Sequence, residues 1–361
     1  MSFNQHLSAV SGLMRFLHKF GITIFFAVVA LISLTKTVKA KNIITSYQDQ
    51  QAWRDIEQYL PPEFHIAPEQ LPQEEWMPWR GHQLHLDTYR NPQAKIKVIL
   101  FHGVGTNGRQ MTMILGKPLA DRGYETIAVD LPGYGLTQIA KDRPIRYEDW
   151  VQAGSDLIDQ ELQRDTRPIV LYGLSAGGML SYHIAAKNRK VKAISGMTFL
   201  DTRNSNVRDI VARNLFISRV GTPVTHLAAK TPLASIRIPM HLASKMNTLV
   251  NNKQALKVFL KDKSSAGNSV SLSFLDSYLH YQPELEAADF NVCPILLTQP
   301  EQDRWTPLSL STPFLNRIQH VPVTTVILQN AGHYPLELPG LAQMVDAIDS
   351  FYRSSVNSAE K

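Results

Sequence analysis

One cysteine, Cys293, stands among 361 residues. No intramolecular disulfide can form, and structural zinc sites of the Cys₄ or Cys₂His₂ kind are excluded. The chain also lacks H-E-x-x-H, a P-loop and a dinucleotide fingerprint, although Gly103-Val104-Gly105 superficially resembles part of one. No cofactor is implied. Internal repeats and low-complexity tracts are missing. Acidic residues are fewer than basic ones, 31 against 37, for a formal charge of +6. Without a recognised reading motif or an aromatic platform, that excess does not point to nucleic acid.

What is present divides into four stretches. Residues 1–40 carry Arg15, His18 and Lys19 ahead of an apolar run, Gly21–Leu34, and small residues at a cleavage-like spacing in Val38-Lys39-Ala40. The run is about 14 residues, roughly 21 Å as a helix, against a hydrocarbon core of ~30 Å. Its length suits a cleaved signal peptide. Lys36, Lys39 and Lys41 behind it suit a retained membrane anchor. Either way residues 41 onward are expected in the periplasm, outside the cell or held at a membrane. Residues 41–80, with Pro61-Pro62 and Trp76-Met77-Pro78-Trp79, read as an extended lead-in, and strand signals begin near Gln83–Leu86. From there strands and helices alternate, the pattern of a mostly parallel α/β sheet covered on both faces. With 44% hydrophobic residues, one α/β domain with an insertion accommodates the chain better than two domains.

The richest motif is Gly173-Leu174-Ser175-Ala176-Gly177, between the apolar run Pro168–Tyr172 and the helix-like Gly178–Lys187. A serine at such a strand-turn-helix junction sits on strained backbone, and Gly173 and Gly177 spare their neighbours a Cβ. Capping the helix is the ordinary alternative for a serine there. Downstream, Asp303 follows the strand Pro294–Thr298, and His333 follows the strand Thr325–Gln329. The order Ser, Asp, His and the placement of each just beyond a strand's carboxyl end match a nucleophile, its orienting acid and its base. Glu301, in the same turn as Asp303, is the rival acid.

With these motifs the chain resembles the α/β-hydrolase superfamily over roughly residues 80–350. The strand Lys95–Phe101 running into His102-Gly103-Val104-Gly105 is similar to the family's oxyanion loop, and Glu125–Val129 ending in Asp130-Leu131-Pro132-Gly133 looks like its fourth strand and turn. The resemblance implies a serine hydrolase with residues 81–200 and 288–361 as catalytic domain and 201–287 as a helical cap. Backbone N–H groups of Val104 and Ala176 would meet the oxyanion. His102 is expected to shape its loop, and Asp130 to anchor a turn.

The insertion is lopsided: from Thr202 to Leu275 it holds 11 Lys and Arg against two acids, Asp209 and Asp262. Leu249, Leu256, Phe259 and Leu260 beside Lys253, Lys257 and Lys261 give a basic amphipathic helix, suited to an anionic lipid surface or to packing on the domain. Met240, Leu242, Met246, Phe274, Leu275 and Tyr278 are candidates for an acyl slot. The expected activity is hydrolysis of a carboxylic ester, of monoacylglycerol or lysophospholipid type. An iminopeptidase-like peptidase, a perhydrolase, a carbon–carbon bond hydrolase and a noncatalytic binding protein on the same scaffold are the alternatives.

Overall fold

Runs of β-branched and aliphatic residues form the strands. The computed structural model describes residues 45–140 and 144–359. In chain order the strands are β1 (Gln73–Trp79), β2 (His82–Tyr89), β3 (Lys97–Phe101), β4 (Glu125–Val129), β5 (Ile169–Gly173), β6 (Ile194–Gly196), β7 (Arg237–Pro239), β8 (Ser269–Ser271), β9 (Ile295–Pro300) and β10 (Val323–Leu328). Eight of them make one sheet in the order β1-β2-β4-β3-β5-β6-β9-β10. From β4 to β10 all neighbours are parallel, while β2 runs antiparallel to both β1 and β4. β3, β4 and β5 are buried along their whole length, as expected for central strands covered on both faces. The parallel strands therefore end on one edge, and Val104, Ser175, Asp303 and His333 each follow one of those ends.

The stretch expected as an extended lead-in is more structured. Gln51–Glu57 is a helix that buries Trp53 and Ile56, and β1 adds an edge strand that pairs with β2 through all seven of its residues. Its sequence hides it. Gln73-Glu74-Glu75 is polar and Pro78 cannot donate to a ladder, which a sheet tolerates only at an edge. The expected export segment lies in residues 1–44, outside the described residues. Among the described residues no helix is long and apolar enough to cross a membrane.

Between β6 and β9 the insertion is helical, with Ser205–Val211, Thr222–Ala228, Lys253–Lys261 and Leu272–His280 as its longer helices and the antiparallel pair β7–β8 between them. Helix Lys253–Lys261 packs on helix Gln51–Glu57. Ala255 and Phe259 are buried there, and the Phe259 ring meets Tyr334 edge-on at 5.1 Å. Of the two readings of this stripe, a lipid surface or packing on the domain, the structure has the second, with Lys253, Lys257 and Lys261 left exposed.

Candidate active site

Ser175 has φ 55° and ψ −124°, the left-handed, strained backbone of a turn that must reverse a strand into a helix within one residue. A Cβ at Gly173 would fall 1.9 Å from Gly177 O, and one at Gly177 would fall 2.4 Å from Phe101 O. Gly178, not singled out by sequence, is equally constrained: its Cβ would lie 2.0 Å from Thr198 O. Ser175 stands at the N-terminus of helix Ala176–Asn188, yet its side chain makes no capping hydrogen bond. The ordinary capping role is therefore unfilled, and the hydroxyl is available.

Asp303 and His333 are brought into direct contact. His333 Nδ1 lies 2.9 Å from Asp303 Oδ2 with both side chains fully buried. The carboxylate is held by three further donors: the N–H groups of Trp305 and Thr306 reach Oδ1 at 2.8 Å each, and the Thr306 hydroxyl reaches Oδ2 at 2.7 Å. Burial opposes ionisation of Asp303, but the neighbouring His333 and these hydrogen bonds outweigh it and hold its pKa below the usual carboxylate value. The Trp305 ring lies over His333 with centroids 4.8 Å apart. With Nδ1 committed to Asp303, the other ring nitrogen, Nε2, is buried and has no hydrogen-bond partner among the described residues. Glu301, the rival acid, is exposed and accepts from the Asn330 N–H instead.

The loop after β3 lies against the serine turn. A Cβ at Gly103 would sit 2.8 Å from Ser175 Cβ and 3.3 Å from Ala176 N. His102 orients this loop. Its Nε2 accepts from the Leu131 N–H at 3.0 Å, so Nδ1 carries the proton and donates to Gly103 O at 2.8 Å. In a trans peptide the Val104 N–H points opposite to that carbonyl, away from the His102 ring. Tyr134 donates its hydroxyl to Val104 O at 3.0 Å, fixing the next peptide as well.

Behind the loop is a buried charged network that the sequence did not reveal. Asp130 accepts from the Gly108 N–H at 2.7 Å, the Leu136 N–H at 2.8 Å and the Tyr47 hydroxyl at 2.9 Å. His85 Nδ1 lies 2.9 Å from Asp130 Oδ2, an ion-pair contact off the line of a hydrogen bond, and its Nε2 lies 3.0 Å from Glu74. Burial pulls the His85 pKa down, but Asp130 and Glu74 together carry it up to about 10. Arg109 pairs with Asp87 and stacks 4.7 Å from the ring centroids of both Tyr47 and Trp53. Asp130 does anchor its turn, and it also pins the N-terminal segment.

Two other histidines set an acid limit. Burial lowers His102 to about 4, and burial with the Arg203 charge nearby lowers His183 to about 3. Both are neutral in the folded chain and take up protons on unfolding below about pH 6.5, so stability rises with pH in this range. The thermal midpoint, followed by circular dichroism, is expected to fall steadily from about pH 6.5 towards 4, and replacing His183 by Gln should make that slope shallower. A flat midpoint across the window would contradict the neutral assignment.

Of the residues considered for an acyl slot, Met246 reaches the loop: a Cβ at Gly105 would lie 2.9 Å from its Sδ. Leu249, not considered for that slot, comes equally close, at 3.1 Å. Phe274 and Tyr278 instead join Tyr147 and Trp150 in an aromatic cluster, Met240 is buried and Leu242 is exposed. Leu275 is partly buried against the main core.

A mostly parallel eight-stranded sheet, with a strained serine after β5 and an Asp–His pair after β9 and β10, defines the α/β-hydrolase class. The chain belongs to the alpha/beta hydrolase family, whose sequence profile matches residues 98–343. No curated protein matches it in sequence. Among solved structures it is similar to a soluble variant of monoglyceride lipase from Saccharomyces cerevisiae in complex with a substrate analogue, at 14% identity over 81% of this chain and 98% of that one, TM-score 0.66. A monoacylglycerol lipase from Paleococcus ferrophilus matches at 16% identity over 75% and 99%, TM-score 0.58. A lipase in its open form matches at 19% identity over 79% and 99%, TM-score 0.62. At these identities the likeness is one of fold.

Proposed function

We propose that the protein hydrolyses carboxylic esters through an acyl-enzyme on Ser175, with His333 as base and Asp303 as its orienting acid. The observation that carries this reading is the buried Asp303–His333 pair, whose Nε2 has no partner among the described residues, on the same sheet edge as a strained serine whose hydroxyl makes no capping bond. With the Nδ1–H donated to Asp303, the Nε2 lone pair accepts the Ser175 proton as Oγ attacks the ester carbonyl carbon. The oxyanion that forms would accept from the Val104 and Ala176 N–H groups, the first aimed by His102. The tetrahedral intermediate collapses as Nε2–H gives its proton to the leaving alcohol. Water then repeats the sequence against the acyl ester and frees the acid.

A lipid-like ester, of monoacylglycerol or lysophospholipid type, is supported by the apolar side chains of Met246 and Leu249 against the loop. The fold's likeness to monoglyceride lipases agrees with it. A peptidase that holds a substrate amine needs a free carboxylate in the insertion. Asp209 is bound to Arg219, Asp262 to Ser264 and Ser265, Asp276 to two histidines, Asp201 and Glu286 to Arg203, and Glu284 to Lys187.

The choice of acid is tested by kinetics on a soluble p-nitrophenyl ester. Asp303→Asn should lower kcat by about four orders of magnitude, because the amide favours the wrong imidazole tautomer. Glu301→Gln should leave kcat within about twofold, as a change to an exposed side chain engaged by the Asn330 N–H and not by the imidazole. Equal damage from the two would overturn the assignment.

A further inference from the structure

We propose that His226, Asp276 and His280 form a binding site for a divalent transition-metal ion of zinc type, clamping two helices of the insertion together. The site shares no residue with the candidate active site. Asp276 and His280 are one turn apart on helix Leu272–His280 and so lie on one face. His226 comes from helix Thr222–Ala228, which packs against it. One ligand atom from each of the three lies within 4.8 Å of the others.

The arrangement is convergent. His226 Nδ1 is 2.8 Å and His280 Nδ1 is 3.0 Å from the same atom, Asp276 Oδ1, and the two ring centroids are 5.0 Å apart. Asp276 is buried, and its ion-pair partners among the described residues are these two imidazoles. That is unusual in an insertion so rich in Lys and Arg. Elsewhere in it Asp209 pairs with Arg219, whereas the buried Asp276 has gathered two histidines. Both imidazoles are about half exposed, which leaves water free to complete a coordination shell.

Two imidazole nitrogens and one carboxylate oxygen suit zinc, cobalt, nickel or copper better than calcium or magnesium. Tetrahedral zinc, with ligands at about 2.0–2.2 Å, sets neighbouring donor atoms about 3.3 Å apart. The two contacts to Asp276 Oδ1 therefore need to open by only a few tenths of an ångström, while the two histidine nitrogens, within 4.8 Å of each other, settle to that same spacing. In the metal-free state His226 donates its Nδ1–H to Asp276 Oδ1 at 2.8 Å, and His280 donates its own to the Asp276 backbone O at 2.9 Å, with Oδ1 3.0 Å away. Metal binding at Nδ1 moves each neutral ring's proton to Nε2, which faces away from Asp276, and leaves two ring lone pairs and the carboxylate oxygen for the ion.

The test is calorimetric titration of the full chain, stripped with a chelator, with zinc chloride at neutral pH. The expected result is one saturable zinc per chain and a thermal midpoint that rises with zinc. Loss of a mere outer-shell partner costs about 10–100-fold in metal affinity, so deleting a ligand in His226→Ala or His280→Ala should weaken binding by about 100-fold or more and abolish the midpoint shift. Both side chains are half exposed, and metal-free unfolding of each variant is the control for folding. Cobalt added to the unaltered protein gives a check independent of any variant, a visible ligand-field band from a four- or five-coordinate ion that zinc displaces. No saturable zinc uptake by the unaltered chain, or uptake unchanged in both variants, would overturn the site.

Discussion

Ser175→Ala is expected to reduce kcat for ester hydrolysis by about six orders of magnitude while leaving the thermal midpoint unchanged or slightly raised. The size of the loss follows from the unit behaviour of such constellations, in which deleting the nucleophile alone costs about as much as deleting every member. The stability expectation follows from the backbone. Ser175 sits at φ 55°, its hydroxyl makes no capping bond, and alanine removes one atom without disturbing the glycines that make the turn possible. Near-normal turnover by a folded Ser175→Ala protein, purified free of unaltered enzyme, would contradict the mechanism.

The largest expected effect on stability comes from Asp130→Asn. The substituted amide would bring an N–H towards groups that themselves donate, namely the Tyr47 hydroxyl and the Gly108 and Leu136 N–H groups. It would also leave the buried His85 facing only Glu74 and Asp87. Breaking a buried ion pair from one side typically costs about 3–5 kcal/mol. Urea unfolding should show that loss as a lower midpoint at unchanged m, and Lys257→Gln, on an exposed helix face, should stay within about 0.5 kcal/mol. A cost below about 1 kcal/mol for Asp130→Asn would mean that the network is not closed in solution. Because Asp130 holds both Gly108, just past the loop after β3, and Tyr47, the variant should also lose activity.

What was legible in the sequence was local. The strand Glu125–Val129 is found with the expected bounds, and β5 and the turn after it fall where the apolar run and the paired glycines put them. Such signals need only neighbours in sequence, a buried strand's continuous apolar run and a turn's demand for glycine. The meeting of Asp303 and His333 was legible because the parallel topology delivers every strand's carboxyl end to one edge, so position along the chain predicts position in space.

The remainder was hidden because it depends on contacts between distant residues. β1 is an edge strand whose polar start and Pro78 disguise it. The cluster around His85 joins Tyr47, Glu74, Asp87, Arg109 and Asp130 from five separate segments, and no spacing rule links them. The lysine-bearing helix Lys253–Lys261 showed its amphipathic pattern plainly, but not that helix Gln51–Glu57 would cover the apolar side. At His226, only half of the signal was local: Asp276 and His280 have the i, i+4 spacing of a helical ligand pair, and the third member lies 50 residues upstream.

The central claim, that Ser175 is a nucleophile activated by His333, is tested most directly by reacting the purified protein with a fluorophosphonate and mapping the adduct by peptide mass spectrometry. The mechanism predicts stoichiometric modification of Ser175, matched to loss of ester hydrolysis, with labelling suppressed in His333→Ala. An active preparation that remains unlabelled, or one labelled at another serine in step with its inactivation, would contradict it.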